Sequence, residues 1–212
     1  MSDDWFRSPA WGLDDQAEFE RRLRRARPTG RGQYLRIKGL ALKEAGELAG
    51  ARALWERVLE DPGYKMERWA SLEHLADLAA ANDPEHAKAL YRQLLAEDPT
   101  LNATSQMAEV RFAELLTREG TTESLVKAGE LLEAWATHRH SPFPTDHFQH
   151  QVAVARWGVA TRNEAATQVA ARRALFHAES GAPFPRHPTV GLVHAEEALM
   201  QWLRVAAAGP QN

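Results

Sequence analysis

The sequence contains no cysteine. That absence excludes disulfides, thiolate-bound metals, iron–sulfur clusters and a cysteine nucleophile. Long apolar stretches are missing too, and none approaches the ~20 residues that a membrane-spanning helix needs. The N-terminal stretch MSDDWFRSPAW is acidic and lacks the basic and then apolar order of a signal peptide. We therefore expect a cytoplasmic protein with no membrane partner.

The sequence also lacks an excess of one charge, because positive and negative residues nearly balance and the 212 residues carry a formal net charge of only −3. This balance gives no overall attraction to nucleic acid or anionic lipid. The arginine run RRLRRARPTGRG (21–32) closes a predicted helix, where cations complement the helix dipole. No helix-turn-helix signature or alternating aromatic residues accompany it, so nucleic-acid binding is not expected. Arginine outnumbers lysine 21 to 5, which hints at a GC-rich bacterial genome.

Catalytic signatures are absent. The chain has no Gly-x-Ser-x-Gly elbow, no glycine-rich phosphate loop and no dinucleotide-binding fingerprint. Its carboxylates fall mostly in amphipathic helices, where a solvated face is the usual place for them. We therefore predict a protein that is not an enzyme and that binds no cofactor.

Histidines gather in the segment THRHSPFPTDHFQH (137–150). His138, His140, His147 and His150, together with Asp146, would supply enough nitrogen and oxygen ligands for zinc or iron. No metal motif of known spacing is present, however, and polar residues in and around a loop are the plainer interpretation. We predict no metal site. An enzyme or metal-binding protein that uses residues 138–150 is kept as an alternative function.

One helical pattern occurs three times. ARALWERVLEDP (51–62) returns as AKALYRQLLAEDP (87–99), and a third copy follows near residue 128. In each copy, apolar or small residues stand at i, i+3, i+4, i+7 and i+8, which is one stripe along a helix. They are Ala51, Leu54, Trp55, Val58 and Leu59, then Ala87, Leu90, Tyr91, Leu94 and Leu95, then Ala128, Leu131, Leu132, Trp135 and Ala136. Two copies end in Asp-Pro, and proline cannot continue a helix.

Another periodic segment precedes each copy. Its apolar or small positions are Leu35, Gly39 and Leu42, then Trp69, Leu72, Ala76 and Ala79, then Ala108, Phe112 and Leu115. The turns AGELAG, ANDPEH and the longer REGTTES are short enough to force the two helices of a pair to lie antiparallel. Small residues such as Gly39 and Ala51 let the helices approach closely, and the aromatic residue at 55, 91 or 135 fills the next layer.

This pattern resembles the tetratricopeptide repeat (TPR) family over residues 31–142. In the second copy, Ala87, Tyr91, Leu94 and Pro99 stand at the family's small, aromatic, apolar and proline positions. Matches in the first copy are Gly39, Leu42, Ala51, Trp55 and Val58, while Pro62 comes one residue early and the third copy has no Asp-Pro. The resemblance implies an all-α, right-handed superhelical solenoid of antiparallel helix pairs.

In the resembled family, the first helices of the pairs line a concave face that binds extended peptides or partner helices. The corresponding partner-binding residues here are Arg36, Leu40, Lys43, Trp69, Leu72, Glu73, Asp77 and Arg111. The family's clamp for a peptide's C-terminal carboxylate has asparagine where this chain has Leu40, so that clamp is not expected. Trp69 is either a binding anchor or packed between pairs, and both readings stay open.

Flanking segments complete the predicted domain organisation. Residues 1–30 hold Trp5, Phe6, Trp11 and a helix at 14–27, which we expect to pack on the first repeat. Residues 31–142 form three TPR-like pairs. Residues 143–212 form a degenerate fourth pair and a C-terminal cap, with helices at 146–160, 163–179 and 189–207. Their apolar faces are Phe148, Val152, Ala155 and Val159, and then Leu192, Ala195, Leu199, Trp202, Leu203 and Ala206. All segments belong to one continuous domain.

The function predicted from these features is a non-catalytic protein–protein interaction scaffold or adaptor. It would bind a peptide or partner protein on the concave face, because a rigid scaffold lowers the ordering cost of binding an extended segment. Besides the metal-binding or enzymatic alternative, a self-associating structural module, such as a homodimer, is a further alternative.

Overall fold

The computed structural model describes residues 4–61 and 63–209, so Pro62 lies outside it. Over these ranges the chain is all-α, as predicted, with a short 3-10 helix at Trp5–Arg7, ten α-helices and no strand. The α-helices are α1 (Leu13–Arg25), α2 (Pro28–Glu44), α3 (Leu48–Glu60), α4 (Lys65–Ala79), α5 (Pro84–Glu97), α6 (Ala108–Glu119), α7 (Thr122–His138), α8 (Pro144–Ala160), α9 (Glu164–Ala178) and α10 (Glu197–Ala208). None of the helices in the described ranges is long and apolar enough to cross a membrane.

Side-chain caps set the starts of four helices. Glu47, Asp83, Thr121 and Asn163 precede α3, α5, α7 and α9, and each accepts a hydrogen bond from the backbone N–H three residues later. Such a cap satisfies one of the backbone donors that the first turn of a helix leaves without a partner. The turn before α7 is shorter than predicted, because α6 ends at Glu119 and α7 begins at Thr122.

The last helix starts later than the sequence pattern indicated. It begins at Glu197, whereas the predicted helix began at residue 189. Residues 180–196 instead form an extended connection with several turns. The backbone N–H of Thr145 donates to the carbonyl oxygen of Gly191 at 3.2 Å, and Gly191 has a φ of 77°. The connection is therefore bound to the start of α8, and the left-handed glycine keeps it out of a helix.

The chain divides into two compact units, Met1–Ala108 and Glu109–Asn212. In the first unit, the repeated stripes face inward as predicted: Ala51, Leu54, Trp55 and Val58 are buried on α3. Ala87, Leu90, Tyr91 and Leu94 are buried on α5. Helices α2 and α3 pack together, as do α4 and α5, and α4 also packs on α3.

The N-terminal segment lies on α1 and α2 of the same unit. The rings of Trp5 and Phe6 are 5.2 and 4.8 Å from that of Tyr34, and Trp11 is 5.7 Å from Phe19. Lys38 is only 2% exposed, and its Nζ donates to the carbonyl oxygens of Ser8 and Ala10 at 2.6 and 2.9 Å. The ammonium therefore fastens an otherwise irregular segment to α2.

In the second unit, α8 packs against α9 and α9 against α10. Phe148, Val152 and Leu203 form its core with Ala171 and Ala174. Residues of α7 also face inward, namely Ala128, Leu131, Leu132 and Trp135, whereas Ala136 is exposed. Val159, predicted on the apolar face of α8, is 54% exposed. Its position is one helical turn past the buried stripe, where the core ends and a groove begins.

Candidate functional site

The first unit holds most of the partner-binding residues predicted from the TPR resemblance. Arg36 of α2 forms an ion pair with Glu67 of α4, and both side chains are largely buried. Leu40, Lys43 and Trp69 are each partly exposed. These three side chains therefore keep surface that a partner could contact.

Two of the predicted partner-binding carboxylates, those of Glu73 and Asp77, accept hydrogen bonds from other residues of the first unit. Glu73 is 1% exposed and accepts hydrogen bonds from the Ser105 backbone N–H at 2.8 Å and from its hydroxyl at 2.5 Å. Asp77 accepts from the Tyr91 hydroxyl at 2.5 Å. Leu72 is fully buried. A carboxylate with charge-assisted bonds inside the fold is held there, because exposing it would break those bonds. Glu73 therefore stabilises the unit rather than presents charge at its surface, whereas Asp77 is partly exposed and bonded to Tyr91.

The loop before α6 explains the burial of Glu73. Leu101, Ala103 and Gln106 all have positive φ angles between 53° and 62°. Residues without glycine's freedom rarely adopt this conformation, and they persist only where the surroundings hold them. The hydrogen bonds from Ser105 to Glu73 hold the loop in this conformation. Asp98-Pro99 marks the start of this loop in the sequence, but the loop contains no glycine, so nothing in the sequence indicates its left-handed residues.

The histidine segment is divided between packing and solvent. His150 is buried, lies 4.5 Å from Trp135 in a stacked arrangement, and donates through Nε2 to the carbonyl oxygen of Leu132 at 3.0 Å. The ring of His147 stacks on His177 at 5.1 Å, and its Nε2 donates to the carbonyl oxygen of Ser141 at 2.9 Å. His138 and His140 are exposed.

No metal-binding arrangement of three or more His, Asp or Glu side chains occurs in residues 4–61 and 63–209. Burial lowers the pKa of His150 below its usual value, and the bond to the Leu132 carbonyl partly opposes this effect. The pKa of His177 is also lowered, first by burial and then by the nearby His147 and Arg173. These two rings are therefore packing groups that favour the neutral form.

An elongated groove lies on the surface of the second unit. Three adjoining hollows form it, with volumes of about 520, 460 and 200 Å³. Val159 and Trp202 line both the first and the second hollow, and Arg156 and Leu199 line both the second and the third. The shared residues place the three hollows in a row, and the groove that they form is lined by α6, α8, α10 and, at the first hollow, α9. We refer to it as the α8–α10 groove.

One end of the α8–α10 groove is mixed, because charged and amide side chains stand there among Val110, Phe148, Val152 and Leu199. Arg111 and Glu114 of α6 line it together with Gln149 and Arg156 of α8. Arg156 donates to Glu114 at 2.7 Å, which ties α8 to α6 along the groove wall. Arg111 was predicted as a partner-binding residue, and the structure places it in this groove. The other predicted residues belong to the first unit.

The opposite end of the groove is apolar. Trp202 is partly exposed, and Val159 and Val205 are 54% and 62% exposed. Arg162, Glu164 and Gln168 stand around these side chains. Exposed apolar groups beside a tryptophan in a concave site are typical of places where proteins bind partners.

Sequence reasoning missed Trp202 and Val159 as site residues because it assigned both to buried helix faces. A usable signal was present: Val205 continues the apolar pattern of α10 beyond the width that a single core contact needs. No model of a known protein family matches the chain, and no curated protein or solved structure matched it in the other two comparisons.

Proposed function

We propose that the protein is a non-catalytic interaction scaffold that binds an extended segment of a partner protein in the α8–α10 groove. The observation that carries this proposal is the row of three adjoining hollows, in which each hollow shares two lining residues with the next. A small ligand would need one enclosed cavity, whereas a row of adjoining open hollows with both apolar and charged lining residues suits a chain of several residues.

The helix order supports the same proposal. Glu164, Thr167 and Gln168 of α9 line the first hollow, but the other helices that line the groove are α6, α8 and α10, which alternate along the chain with α7 and α9. In a TPR-like stack these would be the first helices of successive pairs, on the concave side. We include in the proposal that the pairs are TPR-like repeats of a right-handed solenoid. The exposed parts of Leu40, Lys43 and Trp69 then form a second surface, on the first unit, that a partner could contact.

Site-specific photo-crosslinking tests the proposal. A benzophenone amino acid would replace Val205, in the groove, or Val126, which is 59% exposed on α7 and does not line the groove. Both positions are exposed valines of the same unit, so the second is a matched control. After irradiation in the native cell lysate, mass spectrometry would identify the crosslinked peptide. We expect one partner segment at position 205 and none at position 126.

Three results would change the conclusion. Equal adducts at both positions would mean non-specific contact and would remove the groove from the proposal. Adducts only at a third probe, at Lys43, would move the binding surface to the first unit. A crosslinked peptide from this same chain, together with a sedimentation mass above the 23.7 kDa of one chain, would replace the proposal with self-association.

A further inference from the structure

Arg162 has a backbone conformation that arginine seldom adopts. It follows the last residues of α8 with a φ of 56°, in the left-handed region. Helices commonly end with such a residue, but glycine or asparagine normally occupies the position, because a larger side chain crowds the neighbouring carbonyl. The backbone N–H of Arg162 donates to Val159 O at 3.1 Å, a bond that glycine or asparagine would make equally well.

The side chain of Arg162 contributes little to the stability of the fold that would offset this backbone strain. Arg162 is exposed and forms no ion pair with any residue in the described ranges. A cation at the end of α8 would interact favourably with that helix dipole. However, α9 begins at Glu164, two residues later, and its positive end opposes the effect. Strained residues that the fold does not need are characteristic of binding sites.

Its surroundings indicate what the side chain could bind. Arg162 borders the 520 Å³ hollow next to Val159, Trp202 and Val205. The other charged residue of this hollow is Glu164, which is explained by its place in the first turn of α9, where an acid complements the helix dipole. The apolar end of the groove therefore carries one cation for which the fold supplies no partner.

We propose that this end of the groove recognises an acidic residue adjacent to a large apolar residue within the partner segment. The carboxylate pairs with Arg162, and the apolar side chain packs on Trp202 and Val205. A guanidinium binds a carboxylate through two parallel hydrogen bonds, which also orients the bound chain. This inference rests on the proposed function, since it names the chemistry of the segment bound in the same groove.

Defined peptide pools test the inference. Each pool holds dodecapeptides with acetylated N-termini and amidated C-termini, randomised except for a central pair, which is Asp-Phe, Lys-Phe or Asp-Ser. The immobilised full chain is washed with each pool at low salt, and the retained fraction is measured. We expect about threefold greater retention of the Asp-Phe pool than of the Lys-Phe pool, a ratio consistent with a partly exposed ion pair. The Asp-Ser pool is expected to be retained least.

Variants at position 162 separate the effect of the guanidinium charge from the effect of the left-handed backbone conformation. Arg162→Asn suits the left-handed conformation and removes the charge, so it should lose the preference for aspartate, keep the preference for phenylalanine, and unfold at a temperature equal to or above wild type. Arg162→Lys should retain part of the aspartate preference. Lys127→Gln removes a cation of α7 that pairs with Glu130 outside the groove, and it should change nothing.

Each result bears on the inference separately from the proposed function. Equal retention of Asp-Phe and Lys-Phe by the wild type, with both lost in Val205→Ser, would overturn the acidic preference and leave groove binding intact. If the wild type retained every pool no better than Val205→Ser does, the inference would be overturned. The proposed function would still be decided by crosslinking at position 205. Stronger retention of a fourth pool ending in phenylalanine with a free carboxylate would assign Arg162 to a chain terminus instead.

Discussion

The indole of Trp55 lies directly against the backbone of Gly39, and its Nε1 donates to the carbonyl oxygen of Arg36 at 3.2 Å. The contact joins α3 to α2 with no side chain between them. A β-carbon at position 39 would overlap the indole ring. The small residue and the tryptophan are therefore one packing unit, in which the size of each depends on the other.

Gly39→Ala should consequently destabilise the protein. Alanine would favour the helix by about 1 kcal/mol, but overpacking against a fully buried ring costs about 1–3 kcal/mol. Gly30→Ala is the matched control in the same helix, because its added β-carbon would meet Tyr34 at an ordinary 3.4 Å. Urea unfolding measures both. We expect a lower midpoint for Gly39→Ala and an equal or higher one for Gly30→Ala, and equal midpoints would contradict the packing argument.

The buried ion pair of Arg139 with Glu109 should show strong coupling. Arg139 donates to the two carboxylate oxygens at 2.8 and 2.9 Å, and both side chains are less than a tenth exposed. Arg139→Met leaves Glu109 charged and without this partner, which should cost about 3–5 kcal/mol. Arg139→Met combined with Glu109→Leu should recover most of that loss. A double-mutant cycle by urea unfolding checks this, and additive effects would show that the pair is not coupled.

Stability should fall as the pH drops below about 6.5, the usual pKa of histidine. The folded-state pKa values of His150 and His177 are lowered, first of all by burial. Below pH 6.5 the unfolded chain therefore takes up protons that the folded chain does not, and unfolding becomes more favourable. His150→Gln should flatten the fall between pH 7 and 5. His140→Gln, at an exposed position, should leave it unchanged. A fall of the same steepness in both variants would mean that other groups cause it.

Arg162→Asn should raise the stability of the second unit. Asparagine occupies the left-handed region more easily than arginine, and relief of this strain is worth about 0.5–1 kcal/mol. Gln168→Asn, on α9 beside the same groove, is a control that changes a side chain without relieving backbone strain. The free energies of unfolding in urea would be compared with wild type. A loss of stability in Arg162→Asn would mean that the arginine side chain serves the fold.

Periodicity located most helices because burial repeats with the helix turn. The stripes beginning at Ala51 and Ala87 are buried almost residue for residue. Positions on a helix face were less informative for the binding site. Glu73 has the spacing of a groove residue, but Ser105, in the loop before α6, donates hydrogen bonds to its carboxylate, and no local pattern in the sequence indicates this contact.

The C-terminal part was harder to predict for a related reason. Leu192 and Ala195 continue the helical spacing of α10 backwards, and yet residues 189–191 form a turn, with Gly191 left-handed, and residues 192–196 are extended. Trp202 belongs to α10 and was assigned by hydrophobicity to the apolar face of a capping helix. Hydrophobicity alone cannot distinguish a face that packs on the protein's own core from one that borders a groove.

The bonds from Lys38 to the carbonyl oxygens of Ser8 and Ala10 fix the alignment of the N-terminal segment. In an extended chain, carbonyl groups two residues apart point to the same side, and the intervening one points away. Sliding the segment by one residue would turn both acceptors from the ammonium and leave a buried charge without partners. Lys38 therefore fixes the register of the N-terminal segment on α2. A single-residue insertion or deletion between Trp5 and Ser8 would misplace the aromatic rings relative to Tyr34.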